Sequence, residues 1–212
     1  MSGVDRELLQ AWLTGRSLAR DVALPVADRG GFRVDTGSPT EIRRWVYADA
    51  APGIADAARS VSGPGYLIKL CGETAALAAL APPDWRVEST GYFMIASMMG
   101  EEAPLPEGYS ASITQGENVV EVVVTTAAGE FAARGFGAET DCGFTYDRIV
   151  TETGHRRQGL GLAVMTRLAA TKRDHAVPDL LVATEMGRSL YEVLGWKVLS
   201  RYSTATSPGT QT

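Results

Sequence analysis

The chain has 212 residues, 45% of them hydrophobic, and a formal net charge of −5 at pH 7. That length supports a full apolar core, as one large domain or two small ones. The acidic balance argues against a nucleic-acid binder, and no apolar run approaches the ~18 residues of a membrane span.

Residues 5–20 place Leu8, Leu9, Trp12 and Leu13 at helical spacing, which predicts an amphipathic helix broken near Gly15. Pro25 and Gly30-Gly31 mark a connector, and Phe32 and Val34 a short strand over 31–35. Ser38-Pro39-Thr40-Glu41 combines a capping box with proline at the first helical position, so a helix is expected over 39–48. Then come a short helix over 53–62, a strand over 65–71, an alanine-rich helix over 73–80 and a strand around 92–96. Gly100 to Gly108, with Pro104 and Pro106, reads as a linker. Beyond it strands are expected over 109–114, 119–126, 131–137 and 144–151. A long helix from about 160, a strand over 180–183, a short helix and a strand over 198–202 follow. Residues 207–212 read as a flexible tail.

Nothing at the start of the sequence resembles a signal peptide, so a cytoplasmic protein is expected, with no membrane partner. Two cysteines, Cys71 and Cys142, and two histidines, His155 and His175, lack metal-ligand spacing. No metal is expected, and each cysteine is read as a small buried apolar residue.

The segment Arg156-Arg157-Gln158-Gly159-Leu160-Gly161 stands between a strand and an amphipathic helix. A helix start presents free N–H groups and the positive end of the dipole to an anion. Gly159 and Gly161 allow close approach to the backbone, and Arg156 and Arg157 add guanidinium donors. A P-loop would need Lys and Ser/Thr where Leu160 and Gly161 stand. A dinucleotide fingerprint would need glycine at Val164. The string does fit [Q/R]-x-x-G-x-[G/A]. A second stretch, LLVATEMGRSLYEVLGW over 180–196, reads as strand, helix and a Leu-Gly-aromatic closure.

Together these two stretches resemble the GCN5-related N-acetyltransferases. The resemblance implies an α/β fold with a mixed sheet and an acetyltransferase domain over 107–206. Residues 1–100 are then an N-terminal α/β region. They either supply helix packing that 107–206 lacks or form a degenerate half of the same fold without a coenzyme site. The implied co-substrate is acetyl-CoA, held by Arg156, Arg157, Gln158, Gly159, Leu160 and Gly161. The backbone of Ile149, Val150 and Thr151 is expected to pair with the pantetheine arm and offer an N–H to the thioester oxygen.

Tyr191 matches the family tyrosine of Leu-Tyr-x-x-Leu-Gly and is the expected general acid, since a phenol can protonate a departing thiolate. Alternation places Thr145, Asp147, Ile149 and Thr151 on one strand face, with Asp147 as the residue able to take a proton. Asp147 is either that base, the partner of a nearby arginine, or an electrostatic contact for a cationic substrate. Tyr92, Phe93, Met94, Met98 and Met99, with Glu101 and Glu102, read either as a core strand or as an acceptor pocket. The expected reaction is direct acetyl transfer in a ternary complex to a primary amine of a small molecule or peptide. A silent acyl-CoA-binding domain, or transfer to oxygen or of a longer acyl chain, are the alternatives. A monomer and a homodimer are both compatible with the sequence.

Overall fold

In a computed structural model, which describes residues 3–97 and 100–209, the chain starts with a capped helix. The Asp5 carboxylate accepts from the Glu7 and Leu8 amides and opens α1 (Arg6–Ala19). The helix runs unbroken through Gly15, because that glycine is where it seats on the sheet: an added Cβ would lie 2.4 Å from Thr145 Oγ1.

β1 (Val26–Asp28), β2 (Gly31–Ser38) and β3 (Glu41–Tyr47) follow. The helix expected over 39–48 is therefore a strand. Ser38 pairs with Glu41 across a hairpin turn, so the residues that read as a capping box close the turn instead. The reason is burial on two sides. Val46 packs with Phe32 and Val34 on one face, while Trp45 and Tyr47 pack with Ile68 and Leu70 on the other. A period of two serves both cores, and a helix would not.

The first half continues with α2 (Gly53–Arg59), β4 (Tyr66–Cys71), α3 (Thr74–Ala78) and β5 (Arg86–Ala96). The linker leads to β6 (Tyr109–Gln115), β7 (Val119–Thr126), β8 (Phe131–Thr140) and β9 (Gly143–Thr151). Then come α4 (Leu160–Ala170), β10 (Asp179–Ala183), α5 (Glu185–Val193) and β11 (Lys197–Thr206).

The eleven strands make one mixed sheet in the order β1-β2-β3-β4-β11-β5-β10-β9-β8-β7-β6. Apart from β6, the pairing reads the same from either end. β1-β2-β3 are antiparallel neighbours, as are β7-β8-β9. β3 and β4 run parallel, as do β9 and β10. The closing strands are exchanged: β5 pairs with β10, β11 pairs with β4, and the two pair with each other at the centre.

The second half has no helix between β6 and β7. α1 comes from the start of the chain to cover β8 and β9. α4 covers the opposite face, where Leu160, Val164 and Leu168 join Val120, Val122 and Tyr146 in one core. No helix among the described residues is long and apolar enough to cross a membrane.

Gly15 gives a test of this seating. Propensity alone favours alanine over glycine in a helix by about 1 kcal/mol. Overpacking a seated contact costs about 1–3 kcal/mol. Gly15→Ala is therefore expected to lower the unfolding free energy in urea, and a gain in stability would show that α1 is not packed this way.

Candidate active site

β9 and β10 separate soon after they meet. They are paired at Phe144–Asp179 and Thr145–Leu180 only. β9 then continues to Thr151 paired with β8 alone, and β10 to Ala183 paired with β5 alone. Between them lies a cleft of ≈ 950 Å³. The edge of β9 that faces it has no strand partner beyond Thr145, so its backbone groups are available to a ligand.

A bulge shapes this edge. Asp147 stands opposite Phe136 and Val150 opposite Arg134, so Arg148 and Ile149 together face Gly135. Arg148 takes a left-handed φ of 52°. The alternation expected along this strand breaks there. Thr145 and Asp147 face α1: Thr145 Oγ1 donates to the Trp12 carbonyl at 3.4 Å, and Asp147 reaches Arg16 and Arg20. Ile149 faces α4, where it packs beside Val164 in the space that Gly135 leaves open; a Cβ on Gly135 would lie 2.4 Å from Ile149 Cδ1.

At the end of β9 a 3-10 turn over Thr153–His155 leads into the glycine loop. Arg157 and Gly159 both adopt left-handed backbone, at φ 62° and 79°. Gly159 caps α4 without any side-chain acceptor, which leaves the first-turn amides open toward the cleft. Arg156 Nε donates to the Thr151 carbonyl at 3.2 Å. Ile149, Val150, Thr151, Arg156, Arg157, Gly159, Leu160 and Gly161 all border the cleft. Gln158 does not: its Oε1 accepts from the Tyr109 hydroxyl at 3.0 Å, which also lies 2.8 Å from His155 Nδ1. Gln158 and His155 thus brace the loop against β6.

Tyr191 stands on the far wall, on α5. Thr184 caps that helix by accepting from the Gly187 amide, and a Cβ on Gly187 would lie 3.2 Å from Tyr191 Cε2. The ring packs on Trp196 at 5.9 Å between centroids. Burial pushes the Tyr191 phenol up to about 12, so it stays protonated at neutral pH.

Asp147 is held by three arginines. Arg20 grips both carboxylate oxygens, Nε to Oδ2 at 2.6 Å and Nη2 to Oδ1 at 3.0 Å. Arg16 Nη1 donates to Oδ1 at 3.3 Å, and Arg148 Nε lies 3.5 Å from Oδ2. Of the roles open to Asp147, this geometry is that of an arginine partner.

No family model and no curated protein matches the sequence. Solved structures do match the fold. A GCN5-related N-acetyltransferase from Kribbella flavida superposes with TM-score 0.68 over 98% of this chain and 96% of its own, at 15% identity. A GCN5-related N-acetyltransferase-like protein from Streptococcus suis gives TM-score 0.59 over 84% and 83%, at 12% identity. A tandem GNAT protein from the clavulanic acid biosynthesis pathway gives 0.52 over 66% and 63%, at 12% identity.

The fold is that of the GCN5-related N-acetyltransferases. On this GNAT fold, the loop over 156–161 and the segment over 180–196 contribute facing walls of one cleft.

Of the two readings of the Met/aromatic strand, the core strand fits Phe93 and Met94. Phe93 and Met94 are fully buried in separate cores, and Tyr92 donates to Glu185 with the Arg188 guanidinium 4.6 Å over its ring. Glu102 pairs with Arg167 at 3.2 Å, and Glu101 is exposed. Met98 and Met99 lie outside the described residues. Sequence reasoning missed Trp12, Arg16 and Arg20, which border the cleft from α1. Their spacing is four and four, one helix face, and cations on a face that also carries Trp12 were the available signal.

Asp147→Asn separates an anchor from a base. As an anchor, its loss leaves arginines without their counter-charge and is expected to cost about 3 kcal/mol in urea unfolding. Loss of turnover with unchanged stability would instead mark Asp147 as a proton acceptor.

Proposed function

We propose that the protein transfers an acetyl group from acetyl-CoA to a primary amine in a ternary complex. The observation that carries this reading is the parting of β9 and β10, with an open anion loop at one end and a protonated tyrosine on the wall. The backbone of Ile149, Val150 and Thr151 pairs with the amides of the pantetheine arm. The loop amides, Arg156 and Arg157 take the pyrophosphate. The strand edge that lines the cleft beyond the anion loop supports coenzyme A, whose pantetheine arm carries amides able to pair with it.

The amine enters neutral, its proton having gone to solvent. Its nitrogen attacks the thioester carbon, and an N–H on the edge of β9 stabilises the developing oxyanion. The C–N bond forms as the C–S bond breaks. Tyr191 gives its phenolic proton to the thiolate and regains one as the amine nitrogen loses its second proton. Asp147 anchors arginines in this scheme and is not the base.

Residues 1–100 are proposed to be a degenerate half of the same fold. The support is the palindromic strand order, with β5 and β11 exchanged between the halves. A silent acyl-CoA-binding domain is the second reading, and it is favoured to the extent that Asp147 is fully engaged by arginines.

Tyr191 decides between the two. With a panel of primary amines and release of free CoA as the readout, Tyr191→Phe is expected to lower kcat by about 100-fold. Its acetyl-CoA Kd should stay within about twofold of wild type. Saturable acetyl-CoA binding with no turnover on any amine would favour the silent domain.

The pH profile gives a separate check. The rate should rise with pH as the amine deprotonates, with no falling limb below about pH 10, because the tyrosine proton is retained. A falling limb near pH 8 would contradict Tyr191 as the acid.

A further inference from the structure

The end of the cleft away from the glycine loop is walled by α1, and it is crowded with cations. Arg16 and Arg20 border it from the helix, and Arg148 borders it from the bulge of β9. Arg44 on β3 is buried, and Lys69 lies on β4 close enough for its charge to interact with those of Arg16, Arg20 and Arg44. Four of these five cations reach a carboxylate, and they share only two: Asp147 takes Arg16, Arg20 and Arg148, while Glu41 takes Arg44 at 2.5 Å. Among the described residues, Lys69 Nζ has the Thr204 hydroxyl at 3.2 Å and the Tyr202 ring, 5.7 Å away, and no carboxylate in salt-bridge contact.

Arg16 shows the imbalance most clearly. Its Nε is fully buried and has no hydrogen-bond partner among the described residues. Burial first, and then repulsion from Arg44 and Arg20, lowers its guanidinium to about 10. Lys69 is lowered to about 8, chiefly by burial, with Arg44 and Arg16 opposing the help of Glu41. Packing like charges into one buried site is unfavourable unless an anion joins them. A planar guanidinium fork suits an oxygen anion.

The cations stand on the face opposite α4, so they are not placed to serve the pyrophosphate at the glycine loop. Arg16, Arg20 and Arg148 flank the bulge of β9, beside the edge where the acyl group would lie, while Arg44 and Lys69 stand behind them on β3 and β4. We infer that the acceptor is an amine that itself carries an oxyanion, a carboxylate or a phosphate, and that Arg16 binds this group at the α1 end of the cleft. The inference rests on the acetyl-transfer reading for the word acceptor, but the anion site itself stands on the cation cluster. An amine without an anion would leave three arginines sharing the single charge of Asp147. A polyamine would add charge of the wrong sign.

Matched pairs test this: amino acids against their α-amides across side-chain classes, and phosphoethanolamine against ethanolamine. The anionic member of at least one kind of pair should be preferred by about tenfold or more in kcat/KM. Which kind responds tells carboxylate from phosphate. Arg16→Gln should collapse that preference while leaving acetyl-CoA affinity unchanged. Lys69→Met, a variant remote from Asp147, should reduce it in the same direction, so a folding failure of the first variant does not end the test.

Binding of N-acetylated amino acids and N-acetylphosphoethanolamine, against their N-acetylated neutral counterparts, gives a readout without turnover. Anion-selective binding that Arg16→Gln or Lys69→Met abolishes, without any transfer, would uphold the anion site and sink the acetyl-transfer reading. Equal treatment of anionic and neutral members in both measurements would overturn the inference. So would an Arg16→Gln protein whose acetyl-CoA affinity falls by as much as its acceptor preference.

Discussion

Two parallel strands that stop pairing in mid-course define this protein. β9 and β10 share only two residue pairs and then diverge, which leaves backbone N–H and C=O groups of β9 without a strand partner. Such an edge favours a ligand that can hydrogen-bond like a strand. Everything near it keeps the edge open and aimed. The bulge at Arg148 turns Asp147 toward α1 and Ile149 toward α4, and Gly135 leaves the room that Ile149 needs. The 3-10 turn and the left-handed Arg157 and Gly159 then bring the start of α4 round to the end of the cleft.

The first half of the sheet shows what the same arrangement does without those features. β3 and β4 occupy the matching place and are parallel, but they stay paired over five consecutive residues, Arg43 to Tyr47. The connection that follows, Ala48 to Pro52, has no glycine and no arginine. Among the described residues this pair keeps no open edge like that of β9 and is followed by no glycine loop. The first half contributes in other ways. It lends β5 as the neighbour of β10, and the segment that precedes it, α1, seals the exposed face of β8 and β9. In sealing that face α1 also brings Arg16 and Arg20 to the cleft, so this end of the cleft depends on residues more than a hundred positions away in sequence from Asp147.

What the sequence made legible was local. The glycine loop, the stripe of Leu160, Val164 and Leu168, and the Leu-Tyr helix each depend on residues within a few turns of one another, and each is found as expected. The strand over 41–47 was misread because Ser38 to Glu41 satisfies a helix-start rule, while the two-sided burial that makes it a strand comes from partners far along the chain. The bulge was illegible for a related reason. Alternation assumes one residue opposite one, and the break depends on Gly135 across the ladder. Asp147 was recognised as a charged residue at the site, but the arginines that hold it come from α1, and no spacing rule links the two segments.

The open edge of β9 is the central claim, and amide hydrogen exchange with and without acetyl-CoA tests it directly. Acetyl-CoA should slow exchange at Ile149 to Thr151 and at the amides of Gly159 to Gly161, while the paired strands β3 and β4 remain unchanged. Unaltered exchange at 149–161 with saturating acetyl-CoA, or protection appearing at β3 and β4 instead, would contradict the account.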